Sequence, residues 1–121
     1  MWIALAWLML ALIHTPPALA TFLPALRRRM YGVDAGPALD VILAHRGVLF
    51  LAVAVVCAYA AYAPEARRAA SLVAALSVLG FLALYALARF PNGPLRSIAV
   101  ADAIAVVPLV GVTADAWRVS I

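Results

Sequence analysis

Four apolar runs, separated by short stretches that collect the charges and turn residues, organise this chain. Residues 2–26 and 69–88 hold no charged side chain, 41–63 holds Arg46 with His45 beside it, and 95–117 holds Arg96, Asp102 and Asp115. As helices rising 1.5 Å per residue, all four reach across a hydrocarbon core about 30 Å thick. The pattern predicts an all-α fold, an integral membrane four-helix bundle that occupies residues 1–121 as a single domain.

Within the first run, His14-Thr15-Pro16-Pro17 predicts a kink or break, because two prolines remove two backbone donors and disfavour helical geometry before them. Thr15 is then a candidate cap for a new segment. The carbonyls of Leu12 and Ile13 lose their usual donors there, and His14, Thr15 or water would take them. Residues 27–40 read as the main loop, with Asp40 capping the second span. Tighter turns are expected at Pro64-Glu65-Ala66-Arg67-Arg68 and at Arg89-Phe90-Pro91-Asn92-Gly93-Pro94. Ala54, Cys57, Ala58 and Ala61 make one narrow small-residue face and Ala70, Ala74 and Ser77 another, both suited to close helix packing. A competing reading takes Ala18-Leu19-Ala20 as a signal-peptide cleavage site, which would leave three spans, but no basic residue precedes the apolar run.

Composition narrows the class further. With 69% hydrophobic and 12% charged residues, the chain cannot clothe a water-facing surface and leaves no length for a soluble domain. Its basic residues are nine arginines and no lysine, scattered between the apolar runs. They suit a lipid bilayer with anionic headgroups, and not nucleic acid, which calls for a basic face with polar or aromatic readers. The lone cysteine, Cys57, excludes an internal disulfide or a CxxC site and reads as a small core residue. Arg27, Arg28, Arg29, Arg46, Arg89 and Arg96 fall on one side of a four-span chain, and Arg67, Arg68 and Arg118 on the other. Arginine-rich short loops stay cytoplasmic, so residues 27–40 are expected inside and both termini outside, with Trp2, Tyr59, Tyr62 and Trp117 as an outer aromatic belt.

Candidate chemistry lies where polar groups enter the spans. Arg46 and Asp102 are each roughly 8 to 9 Å along their helices from the same side, a depth that predicts an ion pair between them. His45 adjoins Arg46, His14 stands at the proline pair, and Tyr85 is one turn before Arg89. Together with Tyr31 at the mouth, these residues predict a polar pocket in one leaflet, since ionisable groups beside an irregular helix often mark a small-molecule, ion or cofactor site. Purely structural roles are the alternative: Arg46 and Asp102 as a pin, Arg46 snorkelling to headgroups, His14 bonding freed carbonyls. Two histidines on different spans raise haem ligation. No metal site is indicated, and GxxxxGK[ST], HExxH, GxSxG and GxGxxG are all missing, so no catalytic residue is assigned and the chain reads as a non-enzyme.

Tyr31-Gly32 after the first span, His45-Arg46 opening the second, and Arg96 with Ala101-Asp102 in the fourth resemble a family of small bacterial four-span proteins similar to the DoxX-like proteins. The resemblance covers essentially the whole chain. It implies a multi-pass protein of the bacterial cytoplasmic membrane, an accessory component of a quinone-linked redox or stress-response complex, with a membrane protein partner and quinone as a candidate cofactor beside haem. Some family members are labelled phosphopantetheine adenylyltransferase, a soluble nucleotidyltransferase whose HxGH phosphate-handling motif this chain lacks. The second functional expectation is a small-molecule or proton-coupled transporter working as a homo-oligomer. Small multidrug transporters resemble the chain in size, but they rely on a glutamate in the first span, where this chain offers His14.

Overall fold

The structure, a computed structural model, describes residues 1–20, 22–31 and 36–118, with the side chain of Tyr31 outside the described set. The described residues form five α-helices: α1 (Trp2–Leu19), α2 (Pro24–Tyr31), α3 (Gly36–Tyr62), α4 (Arg67–Leu87) and α5 (Pro94–Ala116), with a 3-10 turn at Pro64–Ala66 before α4. Four spans are long and apolar enough to cross a membrane: α1, α3, α4 with its preceding turn, and α5. The fold is therefore the expected helical bundle of a multi-pass membrane protein.

Around the bundle the order is α1, α3, α4, α5, so that α1 faces α4 and α3 faces α5 across diagonals. The interface of α1 with α3 is the broadest, and that of α3 with α4 is thin although the two are consecutive. Small residues set the close approaches: Cys57, Ala60, Ala70, Ala74 and Ala105 are fully buried around Trp7, Leu10, Val78 and Val112. Without bulky side chains between them, these helix surfaces gain dispersion contacts, which drive association where lipid is as apolar as leucine. Ala54 and Ala61 share the buried face with Cys57, as the spacing predicted.

The break expected at the prolines of the first span is not made. Helix α1 continues through Pro16 and Pro17 and stops at Leu19, five residues before Pro24. Lacking an N–H, Pro24 cannot bond the carbonyl of Ala20, and Arg27 donates its Nη1 to that oxygen at 2.9 Å instead. The chain turns through Ala20 N–H to Pro17 and Phe22 N–H to Leu19 bonds, and Pro24 opens α2, the position proline tolerates best. The same device recurs one hairpin later: Pro64 cannot serve the carbonyl of Ala60, and Arg67 donates Nε to it at 2.9 Å. In both places alanine, proline and arginine keep one spacing, Ala20-Pro24-Arg27 and Ala60-Pro64-Arg67.

Three further expectations are corrected. Arg27, Arg28 and Arg29 sit in α2 and not in a loop. Thr15 does not cap a helix, since its hydroxyl donates to the Ala11 carbonyl at 2.8 Å within α1. Asp40 lies inside α3, which begins at Gly36, and its Oδ1 is 3.5 Å from Nε of the buried Arg27. Gly32, with the rest of 32–35, lies outside the described residues.

The end of the bundle where α1 begins and α3 and α5 finish is tied down by arginines. Helix C-termini leave carbonyls without donors, and here Arg67 serves Ala60 and, through Nη2 at 3.2 Å, Ala61, while Arg68 Nε serves Ala116 at 3.1 Å. Arg67 Nη1 also lies 3.9 Å from Asp115 Oδ2. Trp117 lies under the Arg68 guanidinium at 5.3 Å and donates its indole N–H to Ser71 Oγ, whose hydroxyl in turn donates to the Arg68 carbonyl. Trp2 packs against Gly111, where a Cβ would meet its ring at 3.2 Å. Trp2, Tyr59, Tyr62 and Trp117 are all exposed at this end, as an aromatic belt requires.

Candidate functional site

At the opposite end the helices do not close. Antiparallel packing of α1 on α5 sets His14 across from Asp102, and both line one cavity of about 170 Å³ with Pro16, Pro17, Met30, Phe50 and Ser97 among its walls. Helix α2 reaches this chamber through Met30. The two polar side chains turn inward, with 1% of His14 and 5% of Asp102 exposed.

His14 is held from two directions. Its Nδ1 lies 2.8 Å from the Leu10 carbonyl, which can only accept, so Nδ1 carries the proton. In the neutral ring Nε2 is then the acceptor, and it takes the Ser77 hydroxyl of α4 at 3.2 Å, a bond across the bundle diagonal. Neither His14 nor Thr15 serves the carbonyls of Leu12 and Ile13; both side chains bond one turn earlier. This fixes the ring against Phe50, centroids 5.8 Å apart. Asp102 has no such support. Among the described residues its buried Oδ2 has no hydrogen-bond partner.

The predicted pair of Arg46 and Asp102 is not made. No ion pair joins them among the described residues, whose bridges are Arg27 with Asp40 and Arg67 with Asp115; the Arg46 charge acts on Asp102 only through space. Equal depth did not make them an ion pair because the Arg46 guanidinium turns toward Phe81 of α4. Arg46 instead stacks its guanidinium over Phe50 at 4.9 Å and Phe81 at 5.4 Å, placing it on the outer side of Phe50 from the chamber.

Tyr85 is also separate from the chamber. Its hydroxyl donates to the Pro91 carbonyl at 2.7 Å, and its ring lies edge-on to Phe90 at 5.8 Å and stacked with Phe81 at 6.1 Å. It braces the turn after α4, where Arg89 and Phe90 both adopt positive φ, 65° and 56°, conformations that strain residues with a Cβ. His45 is exposed on the outside of α3. With both His14 ring nitrogens engaged and His45 turned away, the pair does not form an axial set for haem. Nor does any group of three His, Cys, Asp or Glu among the described residues suit a metal ion. The predicted role of Tyr31 at the mouth falls on a side chain outside the described residues.

The structure thus gathers His14 and Asp102, places Arg46 and Tyr85 along a neighbouring seam, and leaves His45 outside. Ser77, Phe50, Phe81 and Met30 join the site without having been singled out as site residues. Phe50 stands four residues after Arg46, and Phe81 four before Tyr85, a spacing that puts each pair on one helix face. Against family models, curated proteins and solved structures alike, the chain finds no match.

Proposed function

We propose that the protein is a DoxX-like accessory component of a redox or stress-response complex in the bacterial cytoplasmic membrane, and that it contributes the His14–Asp102 chamber. The observation that carries this reading is the unpartnered Oδ2 of Asp102. A carboxylate in a spanning helix costs roughly 2.5 to 3.5 kcal/mol when central, and a residue kept for cohesion would recover that through a partner. Asp102 instead stands in the wall of the chamber. A cavity of about 170 Å³ has room for several waters or a small hydrogen-bonding group. Asp102 is the acceptor for an entering donor or proton; His14, both of whose ring nitrogens are held by Leu10 and Ser77, is the fixed polar wall facing it.

The arginine count orients the chain with α2 and the chamber toward the cytoplasm and the termini outward. An alkaline phosphatase fused near Gly36 should be inactive, and one fused at the C-terminus active; the reverse result removes the orientation. Mild-detergent purification followed by mass spectrometry should recover a larger membrane partner. His14→Ala and Asp102→Asn should insert and still co-purify while the activity of the complex falls. Full activity with both variants sinks the reading.

One observation favours transport as a second reading: Ser77, which fixes His14, also lines the wide groove between α3 and α4. Proton-dependent substrate flux in liposomes containing this protein alone would support transport over the accessory role.

A further inference from the structure

Because α3 and α4 pack thinly against each other, a groove of about 620 Å³ runs between them on the outer face of the bundle. Its lining extends from Val73 to Leu84 along α4, about 16 Å at helical rise. Leu49, Phe50, Val53, Leu76 and Phe81 make the walls apolar, and Gly80 leaves open space where a Cβ would meet nothing within 4 Å. Leu76 and Leu84 are 77% and 67% exposed, so in a bilayer the groove faces the acyl chains. One charged residue, Arg46, belongs to it.

Arg46 stands at the loop end of the groove and also lines a second niche of about 270 Å³, which continues past Tyr85 and Ala88 to Pro91 and Leu95 in the connection before α5. Arg46, Phe81 and Leu84 are common to both cavities. The guanidinium, stacked over Phe50 and Phe81, therefore sits between an apolar slot running into the membrane and a smaller recess running out to the interface. That is the order of parts in an anionic phospholipid: chain, phosphate, headgroup. Arginine is suited to the middle part because its planar fork meets phosphate oxygens through two parallel bonds and holds its charge at any accessible pH.

We infer that the groove between α3 and α4 binds an anionic phospholipid, with an acyl chain along Leu49, Val53, Leu76 and Gly80, the phosphate at Arg46 and the headgroup in the niche toward Pro91. The position agrees with the general preference of basic recesses between spanning helices on the cytoplasmic side for anionic headgroups. The site stands on α3 and α4 and does not depend on the role of the chamber. Bound there, the lipid fills the thinnest interface of the bundle and packs behind Phe50, whose other side lines the chamber.

The test is to titrate the full-length protein in detergent with phosphatidylglycerol and, separately, phosphatidylcholine of the same chains, counting bound lipid by native mass spectrometry. The wild type should retain phosphatidylglycerol in preference. Arg46→Gln should reduce that preference roughly tenfold or more, the loss of a charge-assisted contact. Gly80→Leu, which has space to fold, should occupy the slot and weaken both lipids. Asp102→Asn should bind at least as well as the wild type, since it removes a negative charge that acts on Arg46 through space; loss of lipid in that variant would place it in the chamber and overturn the assignment. Equal retention of the two lipids by the wild type, or unchanged retention in Gly80→Leu, would also overturn it. So would a second copy of the chain displaced by Gly80→Leu in place of lipid.

Discussion

The two ends of this bundle spend polar residues in opposite ways. Where α1 begins, Arg67, Arg68, Ser71, Asp115 and Trp117 are partners of one another or of carbonyls that helix ends leave bare. Where α1 ends, Asp102 is just as deeply enclosed and yet its Oδ2 meets no donor. The first arrangement offsets desolvation with hydrogen bonds, so it contributes stability. The second leaves a cost standing. Trp7 Nε1 and Thr113 Oγ1 are also buried without a hydrogen-bond partner among the described residues, so an unsatisfied atom is not by itself the mark of a site; Asp102 differs from both in being a carboxylate that lines a cavity.

The largest effect that would sharpen this contrast is expected at the tied end. Arg67→Ala removes two bonds to α3 carbonyls and the contact with Asp115, and should destabilise the protein by about 2 to 3 kcal/mol, read from unfolding in mixed detergent. A loss below half a kcal/mol would mean that lipid or water replaces the guanidinium. Arg27→Ala tests the same device at Ala20, where α2 should loosen from α1; accelerated amide exchange confined to the residues around α2 is the expected readout.

A smaller effect is expected for Tyr85→Phe, which loses the bond to Pro91 and should cost about 1 kcal/mol. Unaltered activity in that variant would confirm that Tyr85 braces the turn at Arg89 and Phe90 and takes no part in the chamber. The smallest effect belongs to Arg46 and Asp102. A buried ion pair broken at one side typically costs 3 to 5 kcal/mol, but these two residues form no ion pair and act on each other through space, so a double-mutant cycle with Arg46→Ala and Asp102→Ala should show coupling of about 1 kcal/mol or less. Strong coupling would restore the pair expected from their equal depth.

The comparison also shows which features the sequence carries. Spans α3, α4 and α5 were legible because long apolar stretches with few charges are themselves the membrane signal, and the ends of α3 and α5 nearest Pro64 and Pro94 fall on those prolines, while α3 starts earlier than expected, at Gly36. The end of α1 was misplaced since Pro16-Pro17 looks like the stronger breaker. Inside a helix whose His14 and Thr15 bond back to preceding carbonyls, that pair is tolerated, and the span ends at Leu19, short of Pro24, whose missing N–H leaves the Ala20 carbonyl to Arg27. The shared spacing of Ala20-Pro24-Arg27 and Ala60-Pro64-Arg67 was available in the sequence as the signal. For the site, inward-facing polar residues could be named from depth, and His14 and Asp102 were. Azimuth could not. Depth says nothing about which way a side chain turns, so it joined Arg46 to Asp102 and missed Ser77, the residue that crosses the bundle to His14.

The central claim is that Asp102 is retained at a cost to stability, and Asp102→Asn tests it most directly because the side chain keeps its shape and loses its charge. Unfolding of the purified variant in detergent should require at least as much denaturant as the wild type, while the activity of the partner complex is lost. If Asp102→Asn is instead destabilised as strongly as Arg67→Ala, the carboxylate is part of the framework, and the chamber is a packing defect with no task of its own.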